Sequence, residues 1–73
     1  MDKSTREAVI GNCLQTIHAR LSDATSIASA AKACAETGHL QKSIEILFDI
    51  EPMLYEAKTL LSAAVLFNRI SDG

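Results

Sequence analysis

The stretch AAKACAETGHLQKSIEIL, residues 30–47, joins an alanine-rich segment to a leucine-rich one across a single glycine. Gly38 is the residue type that most often occupies the left-handed position just beyond a helix end. The expected turn, residues 38–39, is very short, so the segment after it should return antiparallel to the segment before it. The stretch therefore predicts a helical hairpin.

The segment before Gly38 has the apolar spacing of one long helix. Ser4 and Glu7 have the spacing of a capping box, so helix one is expected over about residues 5–37. Apolar or small residues then recur at alternating intervals of four and three, which is typical of a coiled-coil core. These residues are Ile10, Leu14, Ile17, Leu21, Ala24, Ala28, Ala31 and Ala35.

The segment after Gly38 predicts helix two over about residues 40–70. A leucine occurs at every seventh position, and a parallel row widens the apolar surface: Leu40, Leu47, Leu54 and Leu61, with Ile46, Met53, Leu60 and Phe67. Pro52 interrupts this helix, because proline lacks the N–H that a helix interior requires. The leucines keep their phase across Pro52, which favours one kinked helix; the alternative is a break, with a third helix beginning at Pro52.

The apolar surface of helix two is wider than one partner helix can cover. We therefore expect an all-α antiparallel hairpin, with residues 1–73 as one domain, that pairs into a dimeric four-helix bundle. The residues expected to carry self-association are Ile10, Leu14, Ile17, Leu21, Leu47, Ile50, Leu54, Ala57 and Leu61.

Composition and charge narrow the function classes. The chain has a net charge of −2 and no run of basic residues, so binding to nucleic acid is not expected. Its charged N-terminus lacks a signal-peptide core, and no apolar run is long enough to span a bilayer, so a cytoplasmic location without membrane association is expected. Glu45, Asp49 and Glu56 lie on one side of helix two and predict either an ordinary solvated surface or a docking site for a basic protein.

Two similar motifs contain every cysteine and histidine of the chain: CLQTIH, residues 13–18, and CAETGH, residues 34–39. Cys13 and His18 are five residues apart, about 140° around a helix, so they are poorly placed to share a metal ion. The roles of Cys13, Cys34, His18 and His39 stay open. The sequence contains no recognisable catalytic set or phosphate-binding loop, so no metal, no cofactor and no enzymatic activity are expected.

Three resemblances supply alternatives to a self-associating, non-catalytic protein–protein interaction module. The hairpin layout resembles the Rop family of plasmid RNA-binding proteins, which implies a dimeric RNA-binding bundle. The size and acidic charge are similar to those of type III secretion chaperones, which implies a small subunit whose apolar surface binds a different protein. An exposed His18 resembles the histidine of phosphorelay hairpins, although Ala19 and the Leu21-Ser22 pair depart from the residues that typically follow that histidine.

Overall fold

The chain forms a rod of three helices arranged as an antiparallel hairpin. The structure, a computed structural model, describes residues 2–72 and the side chains of residues 2–70. Helix α1 spans Lys3–Glu36, α2 spans Leu40–Leu47 and α3 spans Ile50–Asp72; the described residues contain no strand. Helix α1 is one arm, and α2 followed by α3 is the other. The rod measures 54 × 14 × 12 Å, and the predicted all-α helical hairpin is confirmed.

Helix α1 begins earlier than the capping-box pattern predicted. Asp2 is the N-cap, with extended backbone, and its Oδ1 accepts a hydrogen bond of 2.7 Å from the Thr5 backbone N–H. That bond lowers the pKa of the Asp2 carboxyl. The prediction that Ser4 and Glu7 cap the helix is wrong, because Asp2 satisfies the free N–H groups first and its negative charge also suits the positive end of the helix.

The turn after α1 closes as Gly38 predicted. Gly38 has a φ of +87°, its N–H donates to the Ala35 carbonyl at 3.1 Å, and the His39 N–H donates to the Cys34 carbonyl at 2.9 Å. These two bonds define the Schellman motif, which satisfies the last carbonyls of a helix. The Thr37 hydroxyl also donates toward the Ala33 and Cys34 carbonyls. The chain therefore reverses within three residues.

The second arm breaks before Pro52. The Phe48 and Asp49 N–H groups donate to the carbonyls of Glu45 and Ile46, three residues back, and α3 then begins at Ile50. Pro52 thus lies in the first turn of α3, where no intrahelical N–H bond is required of it. The arm is two helices rather than the favoured single kinked one. The break lies at residues 48–49, because the missing Pro52 N–H removes the helical bond to the Phe48 carbonyl.

One face of each arm forms a narrow contact zone, which we call the hairpin core. Its centre consists of small side chains: Ala24, Ala31, Ala57 and Ala64 are buried, together with the hydroxyl-bearing Ser43. Half-buried side chains continue the same alternating four–three spacing along both arms. The hairpin core comprises Ile10, Cys13, Ile17, Arg20, Ala24, Ile27, Ala31 and Cys34 of α1, and Ser43, Ile46, Ile50, Met53, Ala57, Leu60, Ala64 and Phe67 of the second arm.

Arg20 is the one charged member of the hairpin core. Its Nε lies 3.8 Å from Glu56 Oε1 and its Nη1 lies 3.6 Å from Asp23 Oδ2. The Nε atom is buried and has no hydrogen-bond partner among the described residues. Burying a guanidinium nitrogen in this way costs stability unless the ion pair compensates for it.

Candidate association surface

A row of apolar side chains beside the hairpin core stays exposed, and we call it the leucine stripe. It consists of Leu14, Leu21, Ala28 and Ala35 of α1, with Leu40, Leu47, Leu54 and Leu61 of the second arm. The six leucines are 44–64% exposed. Ile44 and Val65, also exposed, extend the second-arm side of the stripe. The hairpin thus leaves uncovered the large side chains that a small helical protein normally buries.

Both halves of the leucine stripe lie on the same side of the rod. Every member except Leu40 directly follows a hairpin-core position, as Leu21 follows Arg20 and Leu54 follows Met53, and Leu40 lies seven residues before Leu47 in the same phase. A two-fold axis approximately relates the arms of an antiparallel pair, so equivalent positions of the two arms share one side. Glu56 precedes the core residue Ala57, and the Arg20–Glu56 ion pair therefore lies on the opposite side.

The ion pair also gives the register of the two arms. Arg20 lies 16 residues before the end of α1, and Glu56 lies 16 residues after the start of α2. The same register sets the members of the leucine stripe beside one another in four layers. From the open end of the rod to the turn, the layers are Leu14 with Leu61, Leu21 with Leu54, Ala28 with Leu47, and Ala35 with Leu40.

The structure divides the nine residues predicted to carry self-association into two groups. Four belong to the hairpin core and hold the two arms of one chain together: Ile10, Ile17, Ile50 and Ala57. The other five belong to the leucine stripe and remain accessible to another molecule: Leu14, Leu21, Leu47, Leu54 and Leu61.

The three acidic residues predicted to dock a partner are all exposed, but two of them already face basic side chains. Glu56 pairs with Arg20, and the Glu45 carboxylate lies 3.9 Å from the Lys42 ammonium. Asp49 lies at the break between α2 and α3 and makes no ion pair with any described side chain. The Lys42–Glu45 pair is exposed on both sides, and exposed pairs contribute little to stability, so Glu45 is able to exchange partners.

An aromatic cleft beside these acids was not predicted. Phe48, Glu51, Pro52 and Tyr55 line a shallow surface cleft of about 440 Å³ at the start of α3. Phe48 is 64% exposed and Tyr55 is 74% exposed. The available signal in the sequence was their seven-residue spacing on either side of Pro52, among the acidic residues Glu45, Asp49 and Glu56.

The cysteines and histidines do not form a shared site in the described part of the chain. Cys13 and Cys34 are free, half-buried thiols of the hairpin core. His18 is exposed on α1, and His39 Nδ1 lies 3.1 Å from the Thr37 hydroxyl at the turn. Within residues 2–70, no three His, Cys, Asp or Glu side chains are grouped so that they could hold a metal ion.

Comparisons with protein families, curated proteins and solved structures find no match to this chain. None of the described helices has both the length and the apolar character required to cross a membrane. The leucine stripe and the aromatic cleft are therefore interpreted from their own geometry and chemistry.

Proposed function

We propose that this chain is a non-catalytic interaction module that self-associates through the leucine stripe, two copies forming a four-helix bundle. The exposure of six leucines in one row along one side of the rod carries this proposal. Water contact with these side chains is unfavourable, and covering them releases free energy in proportion to the apolar area removed. A second copy supplies the same stripe, which makes the contact self-complementary.

The surface area supports a partner as large as a second copy. The chain exposes 5312 Å², whereas a compact protein of its 7.9 kDa mass exposes about 4,400 Å². One side of the rod, 54 Å by 12 Å, has a footprint of about 650 Å². Two copies packed along this side would bury about 1,300 Å² in total, which lies within the range of stable protein interfaces.

The composition of the four layers favours an antiparallel orientation of the two copies, with their turns at opposite ends. The two layers near the open end contain two leucines each, and the two layers near the turn contain one leucine and one alanine each. An antiparallel dimer joins an open-end layer to a turn-end layer, so that all four layers of the bundle contain three leucines and one alanine. A parallel dimer would place four leucines in each open-end layer and two leucines with two alanines in each turn-end layer, and both the crowding and the unfilled space cost packing energy.

Sedimentation equilibrium of the purified chain tests the self-association. The proposal predicts one reversible monomer–dimer equilibrium, with the helicity measured by circular dichroism unchanged on dilution to the monomer. Helicity is expected to persist because the hairpin core lies within one chain. A strictly monomeric chain at all accessible concentrations, or aggregates without a dimer, would instead indicate that the stripe binds a different protein, as a subunit or chaperone does.

A spin label tests the orientation separately from the association. Ala8 is exposed near the open end of α1, and Ala8→Cys, with Cys13→Ala and Cys34→Ala, gives one label per copy. An antiparallel dimer places the two labels about 50 Å apart, from about 1.5 Å per residue measured to the centre of the stripe. A parallel dimer places them about 20 Å apart, the width of two helices. A dimer with the short distance would retain the self-association and refute the orientation.

A further inference from the structure

Two of the three aromatic residues of the chain lie outside both apolar contacts described so far. Phe48 and Tyr55 are seven residues apart, so they lie on the same face of the second arm, with Pro52 between them. Their exposed fractions, 64% and 74%, are among the highest of the large apolar side chains. Tyrosine and phenylalanine rings exposed on a protein surface are enriched where partners bind.

Self-association does not explain this exposure. The leucine stripe contains Leu47 and Leu54, and each aromatic ring is attached one residue further along, about 100° around the helix. Both aromatic rings point away from the hairpin core. Phe48, for example, lies about 200° around the helix from the core residue Ile50, which is nearly the opposite side. In a four-helix bundle built on the leucine stripe, the cleft would therefore remain on the outer surface.

The charge around the cleft is negative. Residues 43–57 include four acidic side chains and no basic one: Glu45, Asp49, Glu51 and Glu56. Within the described part of the chain, Asp49 and Glu51 make no ion pair, and Glu51 lines the cleft itself. The next basic residue along the helix, Lys58, lies about one turn beyond Tyr55 and forms no ion pair with any described carboxylate.

We propose that this cleft binds a segment of another protein that carries an arginine next to proline. The guanidinium would stack on the Tyr55 ring and pair with the Glu51 carboxylate, an arrangement that uses both the planar shape and the charge of arginine. The neighbouring proline would pack against Phe48 and Pro52, as proline-rich segments do in aromatic grooves. Charge complementarity selects this partner, because the cleft combines apolar walls with an unpaired carboxylate.

A peptide titration followed by amide NMR of the full chain tests the proposal. The probe is acetyl-Pro-Pro-Arg-Pro-Pro-amide, and its control carries citrulline, which has the shape of arginine without the charge. The proposal predicts saturable shifts centred on the amides of Phe48, Glu51 and Tyr55, with binding about fivefold weaker for the citrulline peptide. Equal binding of both peptides, shifts centred elsewhere, or no saturable shifts would overturn it.

Two variants in the cleft and two controls outside it assign the effect to the cleft. Tyr55→Ala is expected to abolish the saturable shifts, and Glu51→Gln is expected to reduce arginine-peptide affinity to that of the citrulline peptide. Glu7→Gln, an exposed glutamate at the start of α1, is the matched control and should leave affinity unchanged. Leu54→Asp, which targets the leucine stripe, should also leave it unchanged, so failure of the cleft and failure of self-association give different results.

Discussion

Leu54→Asp tests the contact between two copies without changing the contact between the two arms of one chain, because Leu54 belongs to the leucine stripe and not to the hairpin core. Its side chain is 48% exposed in the isolated hairpin. The aspartate carboxylate would therefore reach solvent in a single chain. In the proposed dimer, the same carboxylate would lie between two copies, away from water and without a basic partner in its layer.

The expected loss of affinity follows from that difference. Full burial of a leucine is worth about 1.5–3 kcal/mol, so covering the exposed half of Leu54 is worth about 1 kcal/mol per copy. Burying a polar group without a partner adds at least about 1 kcal/mol per copy. Both copies change at once, so the dimer loses at least about 4 kcal/mol, which corresponds to about a thousandfold weaker association.

Sedimentation equilibrium and circular dichroism of Leu54→Asp measure association and helicity in parallel. The variant should be monomeric and should keep the helicity of the wild-type chain. Leu66→Asp is the matched control, because Leu66 is 56% exposed on α3 but lies about 140° around the helix from Leu61. Its dimer should persist. A Leu54→Asp variant that dimerises like Leu66→Asp would refute the assignment of the interface, and one that loses its helicity would refute the division into core and stripe.

The remaining predictions concern the hairpin itself and are best measured by urea unfolding of Leu54→Asp, in which one chain unfolds alone. Gly38→Ala should destabilise by about 1–2 kcal/mol because φ is +87°, whereas Gly11→Ala, in open space within α1, should stabilise by about 0.5–1 kcal/mol; equal effects would contradict the turn geometry. Arg20→Leu should stabilise by about 1 kcal/mol, since it removes a buried nitrogen without a hydrogen bond; a loss of stability would mean that the Glu56 pair outweighs that cost. Asp2→Asn should lower the free energy of unfolding at neutral pH, and the difference should shrink as the pH falls below the ordinary value of 3.8 and vanish below the lowered pKa of the folded state, because a lowered carboxyl pKa stabilises the fold only while the carboxylate is ionised; a difference that persists in strong acid would exclude the ionised cap.

The sequence was sufficient to predict two helical arms, the glycine turn and the antiparallel return, because each depends on local chemistry. It was not sufficient to choose between two overlapping apolar rows of α1. Ile10 and Ile17 belong to both rows. One row also contains Leu14 and Leu21, the other contains Cys13 and Arg20, and the row with the leucines is the more apolar. The hairpin instead uses Cys13 and Arg20 as the continuation, since small side chains let the arms approach closely and the Arg20 head group reaches Glu56 at the edge. That choice depends on the opposite arm and not on α1 alone.

The break in the second arm and the aromatic cleft were missed for related reasons. Pro52 indicated that helix two is interrupted, but not where. A proline removes the hydrogen bond to the carbonyl four residues before it, so the helix breaks before the proline and not at it. The leucines keep their seven-residue spacing across the break at residues 48–49. Regular leucine spacing therefore does not show that the helix is continuous. Phe48 and Tyr55 were not predicted to form a cleft, because a seven-residue spacing does not distinguish exposed aromatic rings from buried ones.

Native mass spectrometry of the protein isolated gently from its own cells tests the central proposal most directly. It measures what occupies the leucine stripe where the protein works. A species of twice the 7.9 kDa chain mass, absent for Leu54→Asp and present for Leu66→Asp, is the predicted result. A complex of one copy with a chain of another mass, lost in Leu54→Asp, would show that the stripe binds a different protein and that self-association is not its function.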